Sequence, residues 1–213
     1  MTYSLAGRCA RTGMLGGVIT TSSPAVGSRC LFARAGVGVV LTQNLTDPRL
    51  GPRGLALLAE GCAPAETIAA LVASTPHHAI RQLAVLARDG ASAHFSGAGI
   101  TSILGAAQGA DSVAVGNILK NDQVPAAMVA AFDADPAAPL PERLLAALDA
   151  GTAAGGEIRE LVSASLLVVD RESFPYADLR VDSAPDPTAA LRRLWGEYAP
   201  LADMYVERAL GRV

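Results

Sequence analysis

The chain has 213 residues, enough for one well-filled domain, and carries a net charge of −3. Apolar residues make up 51% of it but aromatic ones only 4%, so the core must be built from Ala, Val, Leu and Gly with backbones packed close. Arg192-Arg193 is an isolated basic pair, so nucleic acid is not expected as a partner, and no apolar run nears the ~20 residues of a membrane span, so no membrane crossing is expected.

Residues 2–8 read as a strand that begins at the second residue, with no leader before it. Arg11-Thr12-Gly13 turns the chain into a second strand at 15–20, and a Ser/Thr-rich bend, Thr20-Thr21-Ser22-Ser23-Pro24, follows. Strands are predicted at 28–33 and 36–43. In the latter, Val37, Val39 and Leu41 alternate with Gly38, Val40 and Thr42, the mark of a strand covered on both sides. Two helices come next: 55–60, stopped by Gly61, and 65–74, opened by Pro64 with Glu66 in the first turn. Strands at 80–87 and 91–96 flank the turn Asp89-Gly90. Residues 97–110, rich in Gly and Ala, read as a loop, and 112–115 as a short buried strand ending at Gly116-Asn117. Helices at 122–132 and 141–150 lead through the loop Thr152-Ala153-Ala154-Gly155-Gly156 to paired strands at 163–169 and 177–182. Asp186-Pro187 caps a helix running to about 198, and Pro200 breaks it before a last stretch at 201–210. Strands and helices come in blocks rather than in βα alternation. The expected fold is therefore α+β, two stacked and mostly antiparallel sheets between helical layers, in one domain spanning 1–213.

Most local motifs carry little chemistry. Gly36-x-Gly38 lacks the third glycine of a dinucleotide fingerprint and opens no helix. His77, His78 and His94 have no paired-ligand spacing, and Cys9, Cys30 and Cys62 form no Cys-x-x-Cys, so neither a metal site nor a disulfide framework is expected. With no charged and apolar leader, a cytoplasmic location is expected. No cofactor is called for. The polar strand ends are more informative: Thr21-Ser22-Ser23, Thr42-Gln43-Asn44 and Gly116-Asn117. A glycine followed by Asn can offer a backbone N–H and a side-chain amide as oxyanion donors. The start of the chain is informative too. Removal of Met1 by the cell's aminopeptidase would leave Thr2 with an α-amine beside its own hydroxyl, a pairing in which the amine takes the hydroxyl proton.

In combination, a set of segments resembles an uncharacterised family, a domain of unknown function assigned to the N-terminal-nucleophile (Ntn) hydrolase superfamily. They are Thr2-Tyr3-Ser4-Leu5, Ala25-Val26-Gly27-Ser28, Ala33-Arg34-Ala35-Gly36-Val37-Gly38, Thr42-Gln43, Gly51-Pro52-Arg53-Gly54-Leu55 and Gln82-Leu83-Ala84-Val85. Further ones are Gly116-Asn117-Ile118-Leu119, Asp178-Leu179-Arg180-Val181-Asp182 and Asp186-Pro187 with Leu191-Arg192-Arg193-Leu194. The resemblance implies a four-layer αββα sandwich and hydrolysis of amide-like C–N bonds. It implies Thr2 as nucleophile, Ser22 or Ser23 as orienting groups, Asn117 at the oxyanion, and Thr42, Gln43, Asn44 and Arg53 as substrate-binding residues. The chain departs from the family pattern at several site-like positions. Ser22 stands where members carry Lys, Ile103-Leu104-Gly105-Ala106 replaces Trp-Ala-Gly-His, and Val115 and Val162 each replace a Gln, while Glu160 replaces a Gly.

Two functions follow as expectations. One is an Ntn-type amidohydrolase acting on a small molecule and starting at Thr2. The other is an inactive small-molecule-binding or scaffold protein on the same fold, motivated by the lost Lys, Trp, His and Gln. Ala-rich helices on a small-residue core are compatible with a homodimer.

Overall fold

The structure, a computed structural model, describes residues 2–212. β1 (Thr2–Arg8) and β2 (Leu15–Thr21) form the expected hairpin, with Thr2 opposite Thr21 and Arg8 opposite Leu15. The next segment departs from expectation. Residues 28–33 are not one strand: α1 (Gly27–Cys30), a single turn, precedes β3 (Leu31–Arg34). The bend before it decides this. Ala25 adopts a positive φ of 55°, and the Arg29 guanidinium reaches back to the Pro24 and Ala25 carbonyls and to Ser23 Oγ, winding the chain up. β4 (Gly38–Asn44) follows.

α2 (Leu50–Ala59) begins earlier than predicted because Asp47 starts it: its carbonyl accepts from Leu50 N and its carboxylate from Arg49 N. α3 (Pro64–Ala73) starts on Pro64, and Glu66 accepts from Ala63 N at 2.8 Å. β5 (Arg81–Ala87) and β6 (Ser92–Ser96) flank Asp89-Gly90 as expected. The supposed loop at 97–110 contains a strand, β7 (Leu104–Gln108), paired with β8 (Ser112–Asn117). Nothing in the small side chains of β7 favours a strand; pairing along the edge of β8 overrides propensity. α4 (Val124–Asp133) and α5 (Leu140–Ala153) come next, so Thr152 and Ala153 are helical rather than loop. Gly155 and Gly156, with φ of 123° and 58°, turn the chain off α5. β9 (Ser163–Val169) and β10 (Ala177–Val181) pair antiparallel. α6 (Pro187–Tyr198) is capped by Asp186, which accepts from Ala189 N at 3.0 Å, and α7 (Ala202–Ala209) ends the chain after a short 3-10 turn at 199–201.

The strands make two antiparallel sheets, ordered β10-β9-β2-β1-β8-β7 and β3-β4-β5-β6. Strand period 2 divides the core. Tyr3, Leu5 and Leu166 turn to one face of the six-stranded sheet and pack with Met128, Leu144 and Trp195 of α4, α5 and α6. Ala6, Ile19 and Val115 turn to the other face and meet Val39, Leu41 and Ala84 of the second sheet. Val40, Leu83 and Val85 lie on the far face of that sheet against Leu50, Ile68 and Leu71 of α2 and α3. Each buried Leu or Val here contributes about 1.5–3 kcal/mol. The alternation also fixes where polar residues go: Thr2, Ser4, Thr21, Gln43, Gln82 and Asn117 all fall on the faces the two sheets turn to each other.

Candidate functional site

β1 lies between β2 and β8, so Thr2 heads a row in which Thr21 stands opposite on one side and Asn117 on the other. All three are buried, Thr2 at 4% exposure, and Thr2 donates from its hydroxyl to Thr21 Oγ1 at 3.2 Å. Met1, on whose removal an N-terminal Thr2 depends, lies outside the described residues.

Below this row the sheets are joined by side-chain amides. Ser4 Oγ donates to Gln43 Oε1 at 2.7 Å, and Gln43 Nε2 donates to Gln82 Oε1 at 2.8 Å, with longer contacts to the carbonyls of Val115 and Thr2. Gln82 Nε2 donates to the Gly116 carbonyl at 2.9 Å and to Ser96 Oγ at 3.0 Å. Those carbonyl partners fix both glutamines: each nitrogen must face backbone oxygen, so Gln82 Oε1 must accept. Asn117 Nδ2 fills its second lone pair at 2.9 Å. One amide N–H of Asn117 is thereby used, and its Oδ1 is buried without a partner.

A second polar group closes the end of the row. After Gly156 the chain bridges back onto the extension of β8: Lys120 N donates to the Gly156 carbonyl, Glu157 pairs with Leu119, and Ile158 N donates to the Ile118 carbonyl. Glu157 is 4% exposed. Its Oε2 accepts from Ser22 N at 3.2 Å and its Oε1 has no partner. Burial pushes this carboxyl above the ordinary carboxylate range, against hydrogen bonds from the side chain and backbone of Ser22. On the opposite face of β1, burial pushes the Tyr3 phenol up to about 12, and its oxygen shares a 2.7 Å hydrogen bond with Thr152.

The sequence-derived candidates separate on this geometry. Thr2, Gln43 and Asn117 converge, and Ser22 joins them through Glu157. Ser23 does not: its hydroxyl accepts from Arg29 and its carbonyl from Ser163 Oγ, so it ties the bend to α1 and β9. Thr42 is buried on the helix-facing side of β4 and donates to the Asp47 carbonyl at 3.4 Å. Asn44, at a positive φ of 69°, donates to the Ile80 carbonyl at 2.7 Å. Arg53 is exposed on α2 and reaches only the Ser74 carbonyl. Thr42 and Arg53 therefore lie on the far side of the second sheet from Thr2. Sequence reasoning missed Ser4, Thr21, Gln82 and Glu157 as members of the cluster. A glutamine at the polar end of each of two largely apolar strands, β4 and β5, was the available signal for the amide ladder.

Three exposed apolar side chains, Leu45, Ile103 and Ile158, belong to the same end of the sheets. Leu45 follows Asn44, Ile103 accepts from Leu119 N through its carbonyl, and Ile158 follows Glu157. Among the described residues no group of three or more His, Cys, Asp or Glu is placed to hold a metal ion, and no helix is long and apolar enough to cross a membrane.

This is an α+β sandwich of two antiparallel sheets with a buried polar row at the start of its central strand. Residues 2–191 match the model of the Family of unknown function (DUF1028), and the chain belongs to that family. Among solved structures it is similar to protein SPO2555 from Silicibacter pomeroyi, described with the same family model, at 32% identity over 92% of this chain and 85% of that one, with a TM-score of 0.86. Anbu (ancestral beta-subunit) from Yersinia bercovieri aligns over 96% of both chains at 13% identity with a TM-score of 0.44. No curated protein matches the chain.

Proposed function

We propose that the chain is an Ntn-type hydrolase of a small amide or other C–N bond substrate, a single domain of four-layer αββα architecture with Thr2 as nucleophile after removal of Met1. The observation that carries this reading is the buried row Thr2–Thr21–Asn117 at the start of the central strand, with a carboxylate at its end. In this reading the α-amine of Thr2 takes the hydroxyl proton while Oγ1 bonds to the substrate carbonyl carbon. The proton then passes to the leaving nitrogen as the C–N bond breaks, and water hydrolyses the resulting ester to restore Thr2. The second N–H of Asn117 serves the oxyanion, Gln43 steadies the Thr2 carbonyl, and Ser22 orients Glu157. The apolar rim of Leu45, Ile103 and Ile158 suits a substrate with an apolar acyl part.

A β-lactone electrophile tests the proposal on protein whose intact mass lacks Met1. One adduct on Thr2, absent from Thr2→Ala, is expected; equal labelling of the variant refutes it. A second reading, an inactive binding or scaffold protein, is favoured by one observation: Ser4, Gln43 and Gln82 are saturated by each other, as in a purely structural polar core. It requires a ligand that binds wild type and Thr2→Ala alike with no turnover. Either reading takes the protein to be a homodimer, to be checked by light scattering.

A further inference from the structure

The strand order says what Glu157 stands over. Beyond Asn117, Leu119 donates its N–H to the Ile103 carbonyl on the β7 side, so its bridge to Glu157 lies on the other, β1 side. Glu157 thus occupies the column of β1 past its first described residue. Its carboxylate continues across that column to Ser22 N, which extends β2, the neighbour of β1 on the far side. Among the described residues, what lies between Leu119 and Ser22 is the head of β1, where the nitrogen of Thr2 is. One carboxylate oxygen is held by Ser22, and the other, Oε1, is buried and accepts no hydrogen bond from any described residue.

We infer that Glu157 is a positioning residue for the α-amine of mature Thr2, an inference that rests on the Ntn reading above. Oε1 accepts a hydrogen bond from the amine, turning its lone pair towards Thr2 Oγ1. When the amine takes the hydroxyl proton, the buried carboxylate stabilises the ammonium that forms; Glu157 itself neither gains nor loses a proton. This is the part the third member of a triad plays for its base. Among the described residues, Ser22 in the bend after β2 and Arg159 in its own loop also act on this carboxyl, and Glu157 acts in turn on the Tyr3 phenol of β1. An opposite charge within about 4–6 Å raises an amine's pKa by about 1–3 units, so the amine has to titrate above its ordinary ~7.7–8.0.

The chain offers a clean measurement, because Lys120 is its single lysine. Protein lacking Met1, as wild type, Glu157→Gln and Glu157→Asp, is pulse-labelled with acetic anhydride across pH 5–10 at about half-unit steps, and the extents at Thr2 and Lys120 are read by peptide mass, Lys120 calibrating the reagent. In wild type the Thr2 midpoint should lie above 8; in Glu157→Gln it should fall by about 1–3 units, and Glu157→Asp should restore part of the shift. A wild-type midpoint at the ordinary value, or equal midpoints in all three proteins, overturns the assignment even if Glu157→Gln folds poorly, since the wild-type value stands alone. If Thr2 still takes the β-lactone in that case, the nucleophile reading survives and only the role of Glu157 is lost. Active protein whose mass includes Met1 overturns both.

Discussion

Replacing Gln82 by Met keeps the length of the side chain and removes that residue's polar atoms from the junction of the two sheets. Four hydrogen bonds of ordinary length disappear: two accepted, from Gln43 and Asn117, and two donated, to Ser96 and the Gly116 carbonyl. Their cost is uneven. Ser96 is half-exposed and can turn to water, and Gln43 Nε2 keeps long contacts at 3.4 and 3.5 Å. Asn117 fares worst, because its Oδ1 already lacks a partner and Gln82 is the acceptor of its Nδ2. A fully buried amide left unpaired costs about 1–3 kcal/mol, and with the other losses the variant should be about 3 kcal/mol less stable. That is a large part of the ~5–15 kcal/mol of a typical domain. Urea unfolding followed by far-UV circular dichroism reads it: with a slope of about 2 kcal/mol per M, the midpoint should fall by about 1.5 M at unchanged slope. Adding Asn117→Leu in the Gln82→Met background removes the orphaned amide, so the double variant should fall short of additivity by about 1–2 kcal/mol. A midpoint within about 0.3 M of wild type for Gln82→Met would refute the claim that this amide ladder joins the sheets.

Further outcomes follow from other parts of the structure. Gly16→Ala puts a methyl 2.5 Å from the Leu167 backbone carbonyl, which the β2–β9 ladder holds, and should cost about 1–3 kcal/mol in the same urea assay. Hydrogen bonds from Arg49 hold the Asp47 carboxyl at about 2, below its usual 3.8, so the stability it supplies is present above pH ~4 and lost as pH falls through ~2. Asp47→Asn should be about 1–2 kcal/mol less stable at pH 7, the low figure allowing for screening around Arg49, whose side chain is 82% exposed, and equal to wild type near pH 2. Glu157 has the opposite sign: its carboxyl is raised on folding, so the native state binds the extra proton and stability falls as pH rises from the unfolded carboxylate value through the raised one. In protein that keeps Met1, Glu157→Gln should therefore melt higher than wild type at pH 7, and the gap should close below about pH 4 in a differential scanning series.

The strand alternation was legible wherever both faces were decided by burial. Val37 to Thr42 announced β4, and Asp89-Gly90 announced the β5–β6 hairpin. What failed was local structure imposed from a distance: α1 is wound by Arg29 reaching back over the bend, and β7 exists because β8 offers an edge. The site was half legible. Thr2 and Asn117 were each marked by their strand ends, but register pairs residues 115 positions apart, and no sequence pattern states register across such a gap. Glu157 followed two glycines in what reads as plain loop, and Thr42 beside Gln43 looked equivalent until period 2 sent the two side chains to opposite sides of the sheet.

The central place of β1 also sets a clock. Its neighbour β8 is made more than a hundred residues later, and the Glu157 bridge that covers its head later still. On a ribosome adding about 5–20 residues per second, the chain is some 8–30 s old before residue 157 exists. Until then the first strand has only β2 beside it, and its start stands open to processing enzymes. Afterwards Thr2 sits beneath two neighbours and a carboxylate. On the nascent chain the start of β1 therefore stays reachable for many seconds before its second neighbour and the carboxylate are made.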